Sequence, residues 1–139
     1  MDGRAFLDSV QLLMTVPTEA NWRSAVSRAY YAMLNETRSA LERWGFSVPA
    51  TAHVDDFVIS RFNAVPILDL LRVADALLRL KENREPADYF LTGPGIFTDG
   101  REVRNLLQLA ETGIDLLGQI EADPMRQAKA VAGIRTAFP

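Results

Sequence analysis

Helical periodicity constrains this chain most, and it is strongest between Glu19 and Trp44. At about 100° per residue, Trp22, Val26, Ala29, Tyr30, Met33, Leu34, Thr37, Ala40, Leu41 and Trp44 fall on one side of a helix. Thr18 stands where an N-cap is needed. Glu19 in the first turn favours the positive end of the helix dipole, and Gly45 suits the left-handed residue just past the last turn. A helix of this length is the spine of a domain, and the remaining elements must pack on it.

The rest of the sequence keeps the same period, and no run alternates apolar and polar residues between turn signals. Phe6, Leu7, Val10, Leu13 and Met14 predict a first helix from about Gly3 to Val16, stopped by Pro17. After the loop SVPATA, a third helix from about Ala52 to Phe62 turns Val54, Phe57, Val58 and Phe62 inward. Pro66 opens a fourth helix, which carries Ile67, Leu70, Leu71, Ala74, Leu77 and Leu78 to a terminal KENR, followed by a loop PADYFLTGPGIFT. A fifth begins after Asp99, with Glu102 in the capping-box position, and a last one starts at Asp123-Pro124. The expectation is an all-α bundle of five or six up-and-down antiparallel helices. It forms a single domain over residues 1–139, with a core over about 3–122 and a C-terminal helix over about 124–137 that docks loosely or meets a neighbouring chain.

Composition narrows the function classes. With 139 residues, 48% of them hydrophobic and 24% charged, the chain is long enough to bury one sizeable core. No apolar run approaches the roughly 20 residues that cross a bilayer, and the charged N-terminus is unlike a secretory signal, so a cytoplasmic protein without membrane contact is expected. There is no cysteine, which removes disulfides, thiolate nucleophiles and redox chemistry. His53 is the single histidine and has no paired-ligand spacing around it, so neither a metal site nor a cofactor is expected. A net charge of −3 argues against a general electrostatic grip on nucleic acid, so any such site must be local.

The local candidate lies opposite the core side of the spine helix. Arg28 and Asn35 are seven residues apart, about two turns, with Tyr31 between them. Ser24, Arg38 and Glu42 extend the same seam, and Ala25, Ala32 and Ser39 form a flank of small residues that lets another backbone approach. Charged stripes usually just face water, and the Arg38–Glu42 pair would contribute only tenths of a kcal/mol. Tyr31 at the centre and alanines on the flank fit better a partly buried seam between two copies of the domain. A second cluster, Arg84, Asp88 and Tyr89, is expected to act as a structural clasp: an ion pair ordering the loop, with the tyrosine ring packed into the bundle. Gly93 and Gly95 lack the strand, lysine and helix context of a phosphate loop and are expected to be turn residues.

The string SRAYYAML, followed by His53 at the head of a helix and then by NREPADY, resembles the HEPN domain, the nucleotide-binding module of higher eukaryotes and prokaryotes. The resemblance covers about Asn21 to Ala110. It rests on Ser27, Arg28, Tyr30, Tyr31 and Ala32, and on Arg84, Ala87, Asp88 and Tyr89. It implies a helical bundle that dimerises side by side. In active members an arginine and a following histidine face each other across the dimer cleft and cut RNA without metal. Many members are toxins, some encoded beside a nucleotidyltransferase antitoxin.

Arg28 matches the motif arginine, but the histidine position is occupied by Asn35. Metal-free RNA cleavage needs a group that moves a proton, which imidazole does near neutral pH and an amide does not. General acid–base catalysis is worth roughly 10² to 10⁴ in rate. The expected function is therefore a catalytically degenerate homodimer that binds RNA, a nucleotide or a protein partner through Ser24, Arg28, Tyr31, Asn35 and Arg38. Two alternatives stay open: a metal-independent endoribonuclease toxin that uses Arg28 with Asn35 or His53, and a structural homodimeric adaptor with no ligand.

Overall fold

The computed structural model describes residues 3–89 and 100–139. Among the described residues the regular structure is six helices: α1 (Gly3–Leu13), α2 (Glu19–Arg43), α3 (Val54–Asn63), α4 (Leu68–Tyr89), α5 (Arg101–Ala122) and α6 (Pro124–Ala137). No strand occurs among the described residues. The all-α expectation is met.

Helix α2 is central, packed against α1, α4 and α5, while α3 lies on α4 and α6 closes the end formed by α5 and α3. Its ends are built as the sequence indicates. The Thr18 hydroxyl accepts from the Asn21 N–H at 3.2 Å. Gly45 has φ +92°, and the Phe46 N–H returns to the Leu41 carbonyl at 3.0 Å, closing the last turn. Every residue assigned to the core side of α2 is buried, and Trp44 stacks obliquely on Phe62 with ring centres 5.9 Å apart.

Several boundaries differ from expectation. Helix α1 stops at Leu13 rather than near Val16, because Thr15 turns its hydroxyl onto the Leu12 carbonyl at 2.7 Å and competes with the helical pattern. Helix α4 begins at Leu68 instead of Pro66, and it runs through Pro86 to Tyr89 instead of stopping at Arg84. Proline removes only the N–H that would meet the Glu82 carbonyl, one turn before the helix ends. The carbonyls of Pro86 and Ala87, in the last turn, accept from Arg23 Nη1 at 2.7 and 3.3 Å. The capping box expected at α5 depends on Asp99, which lies outside the described residues; the N-cap is Gly100, at φ +73°. Gly93 and Gly95 also fall outside. At α6 the Asp123 carboxylate accepts from the Met125 and Arg126 N–H groups, as a cap should.

The C-terminal helix is docked more firmly than a loose terminal piece would be. Ala130 and Ile134 are buried, and Arg126 pairs with Asp69 at 2.9 Å. Gly133 lies so close to α3–α4 that a Cβ there would sit 2.7 Å from Val65 Cγ1.

The flank of small residues on α2 is filled from within the same chain. The Gly3 N–H donates to Glu36 at 2.5 Å, and a Cβ on Gly3 would meet the Ala32 carbonyl oxygen at 2.6 Å. The backbone that approaches Ala32 is therefore α1, and Ala25 and Ala32 are both fully buried within the chain itself.

Candidate functional site: the polar seam of helix α2

The seam predicted from the sequence exists as one exposed edge of α2, lying between α1 on one side and α4 on the other. Ser24, Arg28 and Glu42 are exposed, Tyr31 is 42% exposed, and Asn35 and Arg38 are half-buried. Towards α1, Arg28 Nη1 donates to Ser9 Oγ at 2.9 Å. Towards α4, Ser27 Oγ donates to Asp88 Oδ2 at 3.3 Å. Arg38 pairs with Glu42 one turn on, at 3.2 Å. Among the described residues Arg28 has no carboxylate partner, so its charge remains available for a ligand.

The structure brings the two sequence clusters together. Arg84 Nη1 donates to Asp88 Oδ2 at 3.3 Å, the same oxygen that receives Ser27, and its guanidinium carbon lies 5.2 Å from the Tyr30 ring centre and 5.8 Å from that of Tyr31. The two tyrosine rings meet edge-on, 5.1 Å apart. The pair Arg84–Asp88 is thus an i,i+4 bridge on a continuing helix, rather than a clasp on a loop. Tyr89 does not pack into the bundle: it is 68% exposed, and Ala87 occupies the buried position of that turn. With α4 extended by one more turn, residue 87 and not residue 89 faces inward. Arg84 Nε is buried without a hydrogen-bond partner among the described residues.

Behind the seam, a network ties α2, α3 and α4. The Tyr30 hydroxyl donates to Asp55 Oδ2 at 3.0 Å, and Lys81 Nζ lies 3.2 Å from Asp55 and 2.7 Å from Asp56. Burial first, then the Asp55 charge and its hydrogen bond, push the Tyr30 phenol above its ordinary value. Burial would raise the Asp55 carboxyl, but bonds from Tyr30, Lys81 and the Asp56 N–H outweigh it and hold Asp55 below the ordinary carboxylate range. His53 stands at the head of α3 with no capping bond; its side chain is 87% exposed and its nearest charged neighbour is Asp56, at 4.0 Å. Its ties run to this network behind Tyr30, not to Arg28 or Asn35.

Sequence reasoning missed Arg23. It is 7% exposed, held by Glu19 at 2.9 Å and by the two α4 carbonyls, and so fixes the end of α4 that carries Asp88. The Glu19–Arg23 spacing was the one available signal. Among the described residues, no group of three histidine, aspartate or glutamate side chains is placed to hold a metal ion, and no helix is long and apolar enough to cross a membrane. Comparison with family models, curated proteins and solved structures finds no match.

Chemically, the seam offers two guanidinium groups spaced around an aromatic face. Guanidinium forks suit phosphate oxygens, and an exposed tyrosine ring suits an unstacked base. The seam contains no histidine, and the Asn35 amide can donate and accept hydrogen bonds without moving a proton.

Proposed function

We propose that this chain is a HEPN-like cytoplasmic protein that binds single-stranded RNA or a nucleotide along the α2 seam and is catalytically degenerate. A second copy completes the groove around Arg28, Tyr31, Asn35 and Arg38. The observation that carries this reading is the exposed Tyr31 bracketed by two arginines, one of them with no carboxylate partner among the described residues, in a protein whose net charge is −3. A solvated stripe has no use for an aromatic ring at its centre. Asn35 in place of the histidine removes the proton-transfer group and leaves a binding surface. A nucleotidyltransferase-type antitoxin would be its genomic partner if the surface descends from a toxin.

The test is fluorescence anisotropy with a short labelled single-stranded RNA at low salt, with sedimentation to count copies. Arg28→Ala removes one arginine from each copy and should weaken binding at least about 10-fold, the loss expected for even one charge-assisted contact. Metal-free RNA cleavage abolished by Arg28→Ala would replace this reading with the ribonuclease one. A dimer with no measurable RNA or nucleotide affinity would replace it with a structural adaptor.

A further inference from the structure

A groove of about 620 Å³ lies on a different face, between α4 and α5, and the polar seam does not use it. We infer that this groove is a binding site for an aliphatic carboxylate, a medium-length acyl chain with one anionic head.

The shape comes from small residues at the bottom. Gly113 and Ala76 are buried and face one another, with a Cβ on Gly113 lying 3.5 Å from that of Ala76, and Met33 closes the floor behind them. Leu71, Leu109 and Leu116 form the walls. A volume of this size, an apolar lining and a few convergent polar groups are the attributes of small-ligand sites, which run to roughly 300–1,000 Å³. The α5 wall from Leu109 to Gln119 is about 15 Å long at 1.5 Å per residue, so the site suits an extended chain better than a compact ring.

The charges select the head group. Asp75 is paired with Arg79 at 3.5 Å, and Asp115 is paired with Arg4. Arg72, exposed at the rim, has no carboxylate partner among the described residues, so the groove carries one uncompensated positive charge. Its place is at one end. Asp69 at the start of α4 reaches Arg126 just past the end of α5, and Ala76 faces Gly113, so the two helices run antiparallel and Arg72 lies beside Leu116 and Gln119. An acyl chain lying towards Leu109 then puts its carboxylate against Arg72, within reach of the Gln119 amide. A cationic amphiphile would have the same tail contacts and the wrong head.

Calorimetric titration of the full-length protein with decanoate below its micelle concentration, beside decylamine and hexanoate, tests this. Decanoate should bind at one site per chain, hexanoate at least tenfold more weakly, and decylamine not measurably. Arg72→Ala should weaken decanoate at least tenfold. Thr112→Trp and Gln119→Trp, both at exposed positions on the groove's edge, should each block binding without lowering the melting temperature by more than a few degrees. Equal binding of decanoate and decylamine, or unchanged binding in both tryptophan variants, would overturn the assignment. So would sedimentation showing that the groove is covered by a second copy, with a dimer lost in Thr112→Trp.

Discussion

Two residues of α2, about two helical turns apart, separate binding from stability. Tyr31 is exposed and Arg23 is buried, though both are large and polar-tipped. Tyr31→Ala should cost only about 1 kcal/mol by urea denaturation, for the lost edge contact with Tyr30, and should weaken RNA by about the 1–3 kcal/mol that base stacking on an aromatic ring contributes. Arg23→Ala should do the opposite, costing about 2–4 kcal/mol of stability by urea denaturation, because it removes a buried guanidinium that bonds Glu19 and the carbonyls of Pro86 and Ala87. The seam's membership was legible because a charged and aromatic row recurring at helical spacing needs no tertiary knowledge. Arg23 was not legible. Helical projection places it near the core side, but its partners lie more than sixty residues away in a helix whose end a proline disguised.

Among the elements, glycines report how closely helices approach. Gly118 in α5 has open space around its absent Cβ, so Gly118→Ala should add roughly 0.5–1 kcal/mol and raise the melting temperature by roughly 4 °C. Gly133 in α6 lies against Val65 and Ile67, so Gly133→Ala should forfeit its helix-propensity gain and destabilise by about 1–2 kcal/mol, read from the same melts. Opposite signs for the same substitution would establish that α6 is part of the core packing. The lengths of α2, α5 and α6 were visible in periodicity and caps. The extension of α4 was not, since Pro86 argues locally for a stop and the Arg23 guanidinium that holds its last turn comes from a distant helix.

At the scale of the whole molecule, the ion-pair network sets the acid response. Asp55 and Glu121 are both held below their ordinary values, Asp55 by Tyr30 and Lys81 against its burial, Glu121 chiefly by Arg43. A carboxyl with a lowered folded value binds its proton later than in the unfolded chain, so the unfolded state takes up more protons as pH falls. Stability from these two groups is therefore full above their ordinary values of 3.8 and 4.5 and is lost as pH falls through the lower folded ones. Urea midpoints should hold level from pH 7 to about 5 and fall between about pH 5 and 3, and Asp55→Asn should flatten part of that fall. Ionic strength reports on the proposed RNA complex: two seam arginines from each of two copies give a log–log salt slope of about −3, against about half that for Arg28→Ala.

The sequence by itself determined the helices, the polarity of each face and the row of residues along the seam, because apolar spacing, caps and turn residues act over one or two turns of chain. Only the tertiary structure decided what covers each face. It filled the alanine flank from within the chain, carried α4 through its proline onto Arg23, brought Ser27 to Asp88 and Arg84 to the tyrosines, and left a groove between α4 and α5. Those outcomes depend on which distant side chain reaches an unpaired carbonyl or an open surface first, and that competition is settled by packing in three dimensions.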